Sequence, residues 1–128
     1  MKENTRFYEC KICGKVMGLI HDSGTPTICC NQEMELLKAN TSDGAQEKHV
    51  PVYEIDEQEG EIVVTVGSVE HPMEKEHYIM WIAQVTPKET TRVRLFPEQS
   101  AIVRMKYIKG ASIYAYCNKH GLWGTQVD

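Results

Sequence analysis

Five cysteines and five histidines are the residues of this 128-residue chain best equipped for chemistry, and the cysteines are unevenly placed. Cys10 and Cys13 form a Cys-x-x-Cys pair, adjacent Cys29 and Cys30 follow within the next turn-rich stretch, and Cys117 stands alone near the other end. Four thiolates can close a tetrahedral shell around Zn²⁺ or a single iron, neutralising the ion and tying two turns together. Thiolate softness does not choose between the two metals. Adjacent cysteines depart from the paired knuckles of a zinc ribbon and impose a different bite on the ion. The competing reading is a pair of disulfides, or buried thiols with no metal. His21, between the two pairs, reads as a surface histidine.

The remaining histidines, His49, His71, His77 and His120, all fall at the ends of strand-like runs or in the turns between them. Loops at the ends of rigid strands are where a β fold can gather ligands without spoiling its core. Cys117 lies three positions before His120 and is the natural fifth member of such a set. From spacing alone, a ligand set and four unrelated surface histidines beside a buried cysteine stand evenly.

The elements that must position these groups are mostly strands. VPVYEI (50–55), EIVVTVGSV (61–69), HYIMWIAQV (77–85), RVRLF (92–96), AIVRMKYI (101–108) and ASIYAYC (111–117) are rich in β-branched and aromatic residues. Turn signals at 57–60, 71–74, 86–89, 96–99 and 109–110 separate them, a pattern that predicts an antiparallel sandwich or barrel. Residues 1–38 carry too few apolar side chains for a core of their own; units below about 40 residues usually need a metal, disulfides or a partner chain. The polar stretch 38–48 reads as a linker. Tyr78, Trp81, Tyr114, Tyr116 and Trp123 fit core or cross-strand packing better than an electron path, and Met73 fits packing beside its turn.

Charge and composition narrow the function classes. A net charge of −4 and a pI near 5.7 argue against broad binding to nucleic acid or an anionic membrane. No apolar run is long enough to span a bilayer, and the N-terminus lacks the apolar core of a secretory signal. The expected compartment is the reducing cytoplasm, where such cysteines read as metal ligands or redox groups.

CKICG with the vicinal pair at 29–30, EKHVPV at 47–52, HPMEKEHYIMWI at 71–82 and CNKHGLW at 117–123 together resemble the motifs of desulfoferrodoxin, the two-iron superoxide reductase. The resemblance runs in order along nearly the whole chain. It implies a mainly β protein with a desulforedoxin-like domain over 1–38 and an immunoglobulin-like antiparallel β-sandwich over 39–128. One iron would sit in Cys10, Cys13, Cys29 and Cys30. The second would take four equatorial imidazoles, from His49, His71, His77 and His120, and an axial thiolate from Cys117, leaving one coordination position open. His120 is expected to ligate through its near nitrogen and the other three through the far one.

The implied activity is one-electron reduction of superoxide to hydrogen peroxide, with the ferrous His4Cys centre re-reduced by an external donor such as rubredoxin. Lys48 would attract the anion and help deliver a proton, and Glu47 matches the carboxylate that occupies the open position in the ferric state. The family pattern further implies a homodimer. Two other classes compete: an electron carrier using only the four-cysteine site, and a zinc-stabilised binding module.

Overall fold

Alternating apolar and polar side chains make half-buried strands, and seven of the thirteen short elements among the described residues build a sandwich on that rule. The computed structural model describes residues 4–42 and 44–128; the first three residues of the N-terminal module and Asp43 of the linker lie outside the described residues. The chain runs β1 (Arg6–Glu9), β2 (Val16–Leu19), β3 (Ile28–Cys29), β4 (Gln32–Glu33), β5 (Glu35–Leu36), α1 (Gln46–His49), β6 (Pro51–Asp56), β7 (Glu61–Val66), β8 (Ile79–Val85), β9 (Thr90–Arg94), β10 (Ile102–Lys106), β11 (Ser112–Cys117) and β12 (Gly121–Gln126).

One face of the sandwich is the three-stranded sheet β10-β7-β6 and the other is the four-stranded sheet β12-β11-β8-β9, all pairings antiparallel. Ile62, Val64 and Val66 point inward from β7, Val103 and Met105 from β10, and Ile113, Ala115 and Cys117 from β11. They meet Ile79 and Ile82 of β8 in one continuous core. Cys117 is therefore a core residue at the sheet's end before it is anything else.

β8 is buried along nearly its whole length, because its outer face is covered as well. Trp81, Ala83 and Val85, with Tyr116 and Leu122, form a second apolar cluster closed by Phe7 from the N-terminal module. Phe7 packs 4.8 Å from the Trp81 ring and 5.8 Å from that of Tyr114, and Trp81 stacks on Tyr116 at 5.5 Å. The module itself is two small sheets, β2-β1-β5 and the β3-β4 hairpin. Its lack of a core is answered by docking on the sandwich, and the aromatics serve as packing.

The strand-like runs begin at residue 50, so the five short strands β1–β5 of the N-terminal module, α1 and β12 all go beyond what the side-chain pattern predicts. β12 carries Gly121 and Gly124, which dilute its strand signal. Gly124 pairs with Tyr114, and a Cβ there would stand 3.0 Å from the Tyr114 ring, so the glycine makes room for that ring. α1 is a single turn, too short to show a helical period. The linker is also more than a tether: Asn40 exchanges side-chain hydrogen bonds with the Gly124 backbone, at 3.1 and 2.9 Å, and its own N–H reaches the Leu122 carbonyl at 3.0 Å. Among the described residues no helix is long and apolar enough to cross a membrane.

Phe7→Ala removes the ring that joins module to sandwich and should lower stability by about 3 kcal/mol in denaturant melts. The fully displayed Ile20, 83% exposed, should change stability by less than about 0.5 kcal/mol when cut to Ala.

Candidate metal centres

The first cluster is built from two turns. The Cys10–Cys13 loop is closed by Gly14 N–H donating to the Cys10 carbonyl at 2.9 Å, and by Cys10 N–H donating to Lys15 O at 2.9 Å. Facing it, Cys30 and Asn31 both take left-handed backbone, φ 53° and 61°, as the two central residues of the β3-β4 hairpin. That mirror-image turn is the one that matches strand twist in a two-residue hairpin. It also explains how neighbours in sequence can both serve: Cys29 ends a strand, Cys30 begins the turn, and both sulfurs face the same point.

All four sulfurs lie within 4.8 Å of one another. Cys13 and Cys29 approach to 3.6 Å and Cys29 and Cys30 to 3.9 Å, far beyond the roughly 2 Å of a disulfide, so the thiols are free. The Cys13 backbone N–H aimed at the Cys10 sulfur lowers that thiol to about 6. Cys30, crowded by the sulfurs of Cys13, Cys10 and Cys29, is pushed up to about 12. Without a cation, then, the set resists full deprotonation; a metal ion is what lets four thiolates coexist. His21 is exposed and stands outside this group.

The second cluster collects donors from three places. His49 ends α1, His71 and His77 flank the loop before β8, and Cys117 and His120 bracket the turn from β11 to β12. Nitrogen or sulfur atoms of His49, His77, Cys117 and His120 all lie within 4.8 Å of one another. His71 stands beside that group, its ring 4.5 Å from His49 and 4.9 Å from His77. His49–His120 and His77–His120 separations are 4.8 and 5.1 Å, and all four neighbouring ring pairs meet edge to face. The His49–His77 pair across the middle is 6.5 Å apart and near parallel, as the diagonal of a square with those sides requires. Four imidazoles thus mark the corners of a square, with a sulfur from the core 3.9 Å from the His120 corner.

Which nitrogen each ring offers is set by its other side. His49 and His71 direct Nδ1 at the carbonyls of Ala45 (2.7 Å) and Pro72 (2.6 Å), so those nitrogens carry the proton and Nε2 is a bare lone pair. His120 turns Nδ1 inward, 3.0 Å from His49 Nε2. Buried Nε2 atoms of His71 and His77 have no hydrogen-bond partner among the described residues. Buried nitrogens without partners are costly unless something else fills the role. A cation at the centre of the square answers all of these observations at once, and the donor set fits iron: imidazoles with one thiolate.

The supporting contacts were not legible in the sequence. Gly67 lies so close to α1 that a Cβ there would stand 2.6 Å from the Glu47 carbonyl oxygen, which accepts hydrogen bonds from Val69 N–H (2.8 Å) and Ser68 Oγ (3.2 Å). Glu74 and His77 exchange two backbone bonds that pinch the His77 loop. Asn118 accepts from Tyr78 N–H at 3.0 Å and donates to Glu76 O at 2.9 Å, stitching the His77 loop to the Cys117–His120 turn. Trp123 stacks on His49 at 4.8 Å and donates Nε1–H to the His120 carbonyl at 3.0 Å. A register break between Tyr116 and Cys117 leaves Met80 as an extra residue on β8, letting Met80 and Trp81 both face outward. Glu47 and Lys48 are exposed on α1, and the donor group contains no Glu47 oxygen.

Residues 41–126 match the desulfoferrodoxin family model, and residues 2–37 match the model of the desulfoferrodoxin N-terminal domain. The chain belongs to the desulfoferrodoxin family. A desulfoferrodoxin of Syntrophotalea carbinolica is 39% identical over 127 residues, covering 98% of this chain and 99% of that one. A superoxide reductase of Pyrococcus horikoshii is 36% identical over 107 residues, 69% of this chain and 92% of the relative. The crystal structure of the superoxide reductase from Treponema pallidum is similar at a TM-score of 0.72 and 30% identity, covering 94% of this chain and 98% of that one.

Burial lowers the imidazoles of His49, His71 and His77, His71 to about 4 from an ordinary 6.5. In metal-free protein the unfolded chain takes up these protons from pH 6.5 downward, while folded His71 resists until about 4. The contribution of neutral His71 to stability is therefore complete above 6.5, is lost as pH falls through that window, and levels off below about 4. Denaturant midpoints of chelator-treated protein should drop across the window, and His71→Gln should flatten the curve.

Proposed function

We propose that this chain is a superoxide reductase: superoxide gains one electron and two protons and leaves as hydrogen peroxide, the electron coming from outside the chain. The observation that carries the reading is the square of four imidazoles over a sealed sulfur, in a chain of the desulfoferrodoxin family. His49, His71, His77, His120 and Cys117 would hold the catalytic iron, and Cys10, Cys13, Cys29 and Cys30 the other. Iron held by the five mixed donors would supply a one-electron reductant for a small oxygen anion, its potential tuned by the thiolate.

The chain's own residues account for the rest. Cys117 is fully buried, and burial pushes its thiol up; backbone N–H groups of Lys119 and His120 aimed at the sulfur offset part of that effect. His77 and His120 are only partly buried, whereas Cys117 is sealed, so the ring set is the more accessible part of the donor group. The charge of Lys48 is felt at the His49 ring more strongly than the opposing charge of Glu47, and that of Lys119 at the His77 ring more strongly than that of Glu74. A local positive field of this kind draws an anion to an otherwise acidic protein. Lys48 would order the water that delivers protons, and Glu47, on the same turn, would offer the iron a carboxylate once product has gone.

The remaining parts of the reading follow from the family. Residues 1–38 and 39–128 are the two units, the donor is a rubredoxin-like carrier, the chain works as a homodimer, and its place is the cytoplasm.

Lys48→Ile should slow the reaction of the ferrous protein with a superoxide pulse by about tenfold at low salt. The gap should narrow as ionic strength rises; equal rates at every salt concentration would remove the steering role. With the first site emptied by Cys13→Ser, Cys117→Ser should abolish the remaining sulfur-to-iron charge-transfer band, and survival of that band would remove Cys117 from the donor set.

A further inference from the structure

The two donor sets are joined by a short polar bridge. Glu9 ends β1 immediately before Cys10, and Tyr116 lies in β11 immediately before Cys117. The Tyr116 hydroxyl donates to Glu9 Oε2 at 2.8 Å. The other carboxylate oxygen of Glu9 pairs with Lys11 Nζ at 2.8 Å, and Lys11 belongs to the Cys10–Cys13 loop. One carboxylate thus ties the loop of the first site to the strand that presents the sulfur of the second.

The bridge is well placed to carry an effect. Tyr116 is 4% exposed and stacked on Trp81, with the rings 9° from parallel, so its hydroxyl has little freedom to find another partner. The break in strand register falls between Tyr116 and Cys117, so Tyr116 is the last residue of β11 held in regular pairing with β8. Whatever fixes Tyr116 fixes the point from which Cys117 is aimed. Nothing in sandwich packing requires a carboxylate here; a Phe at 116 would fill the same stack.

We propose that Glu9 and Tyr116 are positioning residues that couple occupancy of the four-cysteine site to the geometry of Cys117 in the second site. A metal in the first set holds the Cys10–Cys13 loop still; Lys11 and Glu9 pass that order to the Tyr116 hydroxyl, and Tyr116 holds the bulge that aims the sulfur. The coupling is a free energy between two sites, so it runs both ways, and filling the second set tightens the first. The inference rests on both sets binding metal, as in the proposed function, but uses no superoxide chemistry.

The test is a double-mutant cycle on the full chain loaded with ferrous iron, crossing Cys30→Ser, which opens the first site, with Tyr116→Phe. Two quantities are read at the second site: the wavelength of the sulfur-to-iron band after oxidation, and the rate at which a chelator strips the ferrous ion. Cys30→Ser alone should shift the band and speed iron loss severalfold. Tyr116→Phe alone should do the same, and the double variant should add nothing to either. Glu9→Ala should behave as Tyr116→Phe does. Additive effects, a Tyr116→Phe protein that melts earlier with band and iron loss unchanged, or a silent Glu9→Ala would each overturn the bridge. A natural chain that held no iron at the second set would overturn this inference and the proposed function together, and would be seen before any variant was made.

Discussion

Everything in this molecule depends on bringing a core sulfur and four imidazoles to one point without breaking the sandwich that carries them. Cys117 reaches that point because it is the last inward-facing residue of β11, in line with Ile113 and Ala115. A thiol sealed there has its proton held more tightly by burial, and buried imidazoles are held neutral. Left alone, the arrangement is a set of bare lone pairs in a low-dielectric pocket. Electrostatics alone therefore makes the site hungry for a cation.

Satisfying that demand calls for precision from irregular backbone, and the surrounding contacts supply it. The His77 loop is pinched by its own two backbone bonds and stitched by Asn118 to the Cys117–His120 turn. α1 is pinned through the Glu47 carbonyl against Gly67, Ser68 and Val69. Trp123 braces two imidazoles at once, by stacking on His49 and by a hydrogen bond to the His120 carbonyl. Second contacts of this kind orient ligands and fix their tautomers. The N-terminal module adds a further layer: Phe7 covers the outer face of β8 and β11, so the strand that aims the sulfur is packed on both sides.

Much of this was readable from residue types. Alternation in β7 and β10, and the β-branched runs of β8 and β11, announce a sandwich because half-buried strands obey a period of two. Cys10, Cys13, Cys29 and Cys30 announce a metal site because four soft ligands in two close pairs match the spacing of a tetrahedral metal shell. The histidine set was legible only through the combination of four motifs, since no pair among His49, His71, His77 and His120 has a spacing of its own. What stayed hidden has a common cause. Gly67 and Gly124 matter for space they leave empty, Asn118 and Trp123 for partners distant in sequence, and the Cys30–Asn31 turn for backbone signs that side-chain chemistry does not announce. β12 was missed for the same reason: its glycine serves a neighbour's ring and weakens its own strand signal.

The most direct measurement is iron K-edge X-ray absorption on ferrous protein in which Cys13→Ser has emptied the first site. The expected spectrum contains one sulfur scatterer and four imidazole nitrogens, matching the single thiol and four rings gathered here. A spectrum without sulfur, or one with three imidazoles and His71 left aside, would contradict the five-donor centre on which the functional reading stands.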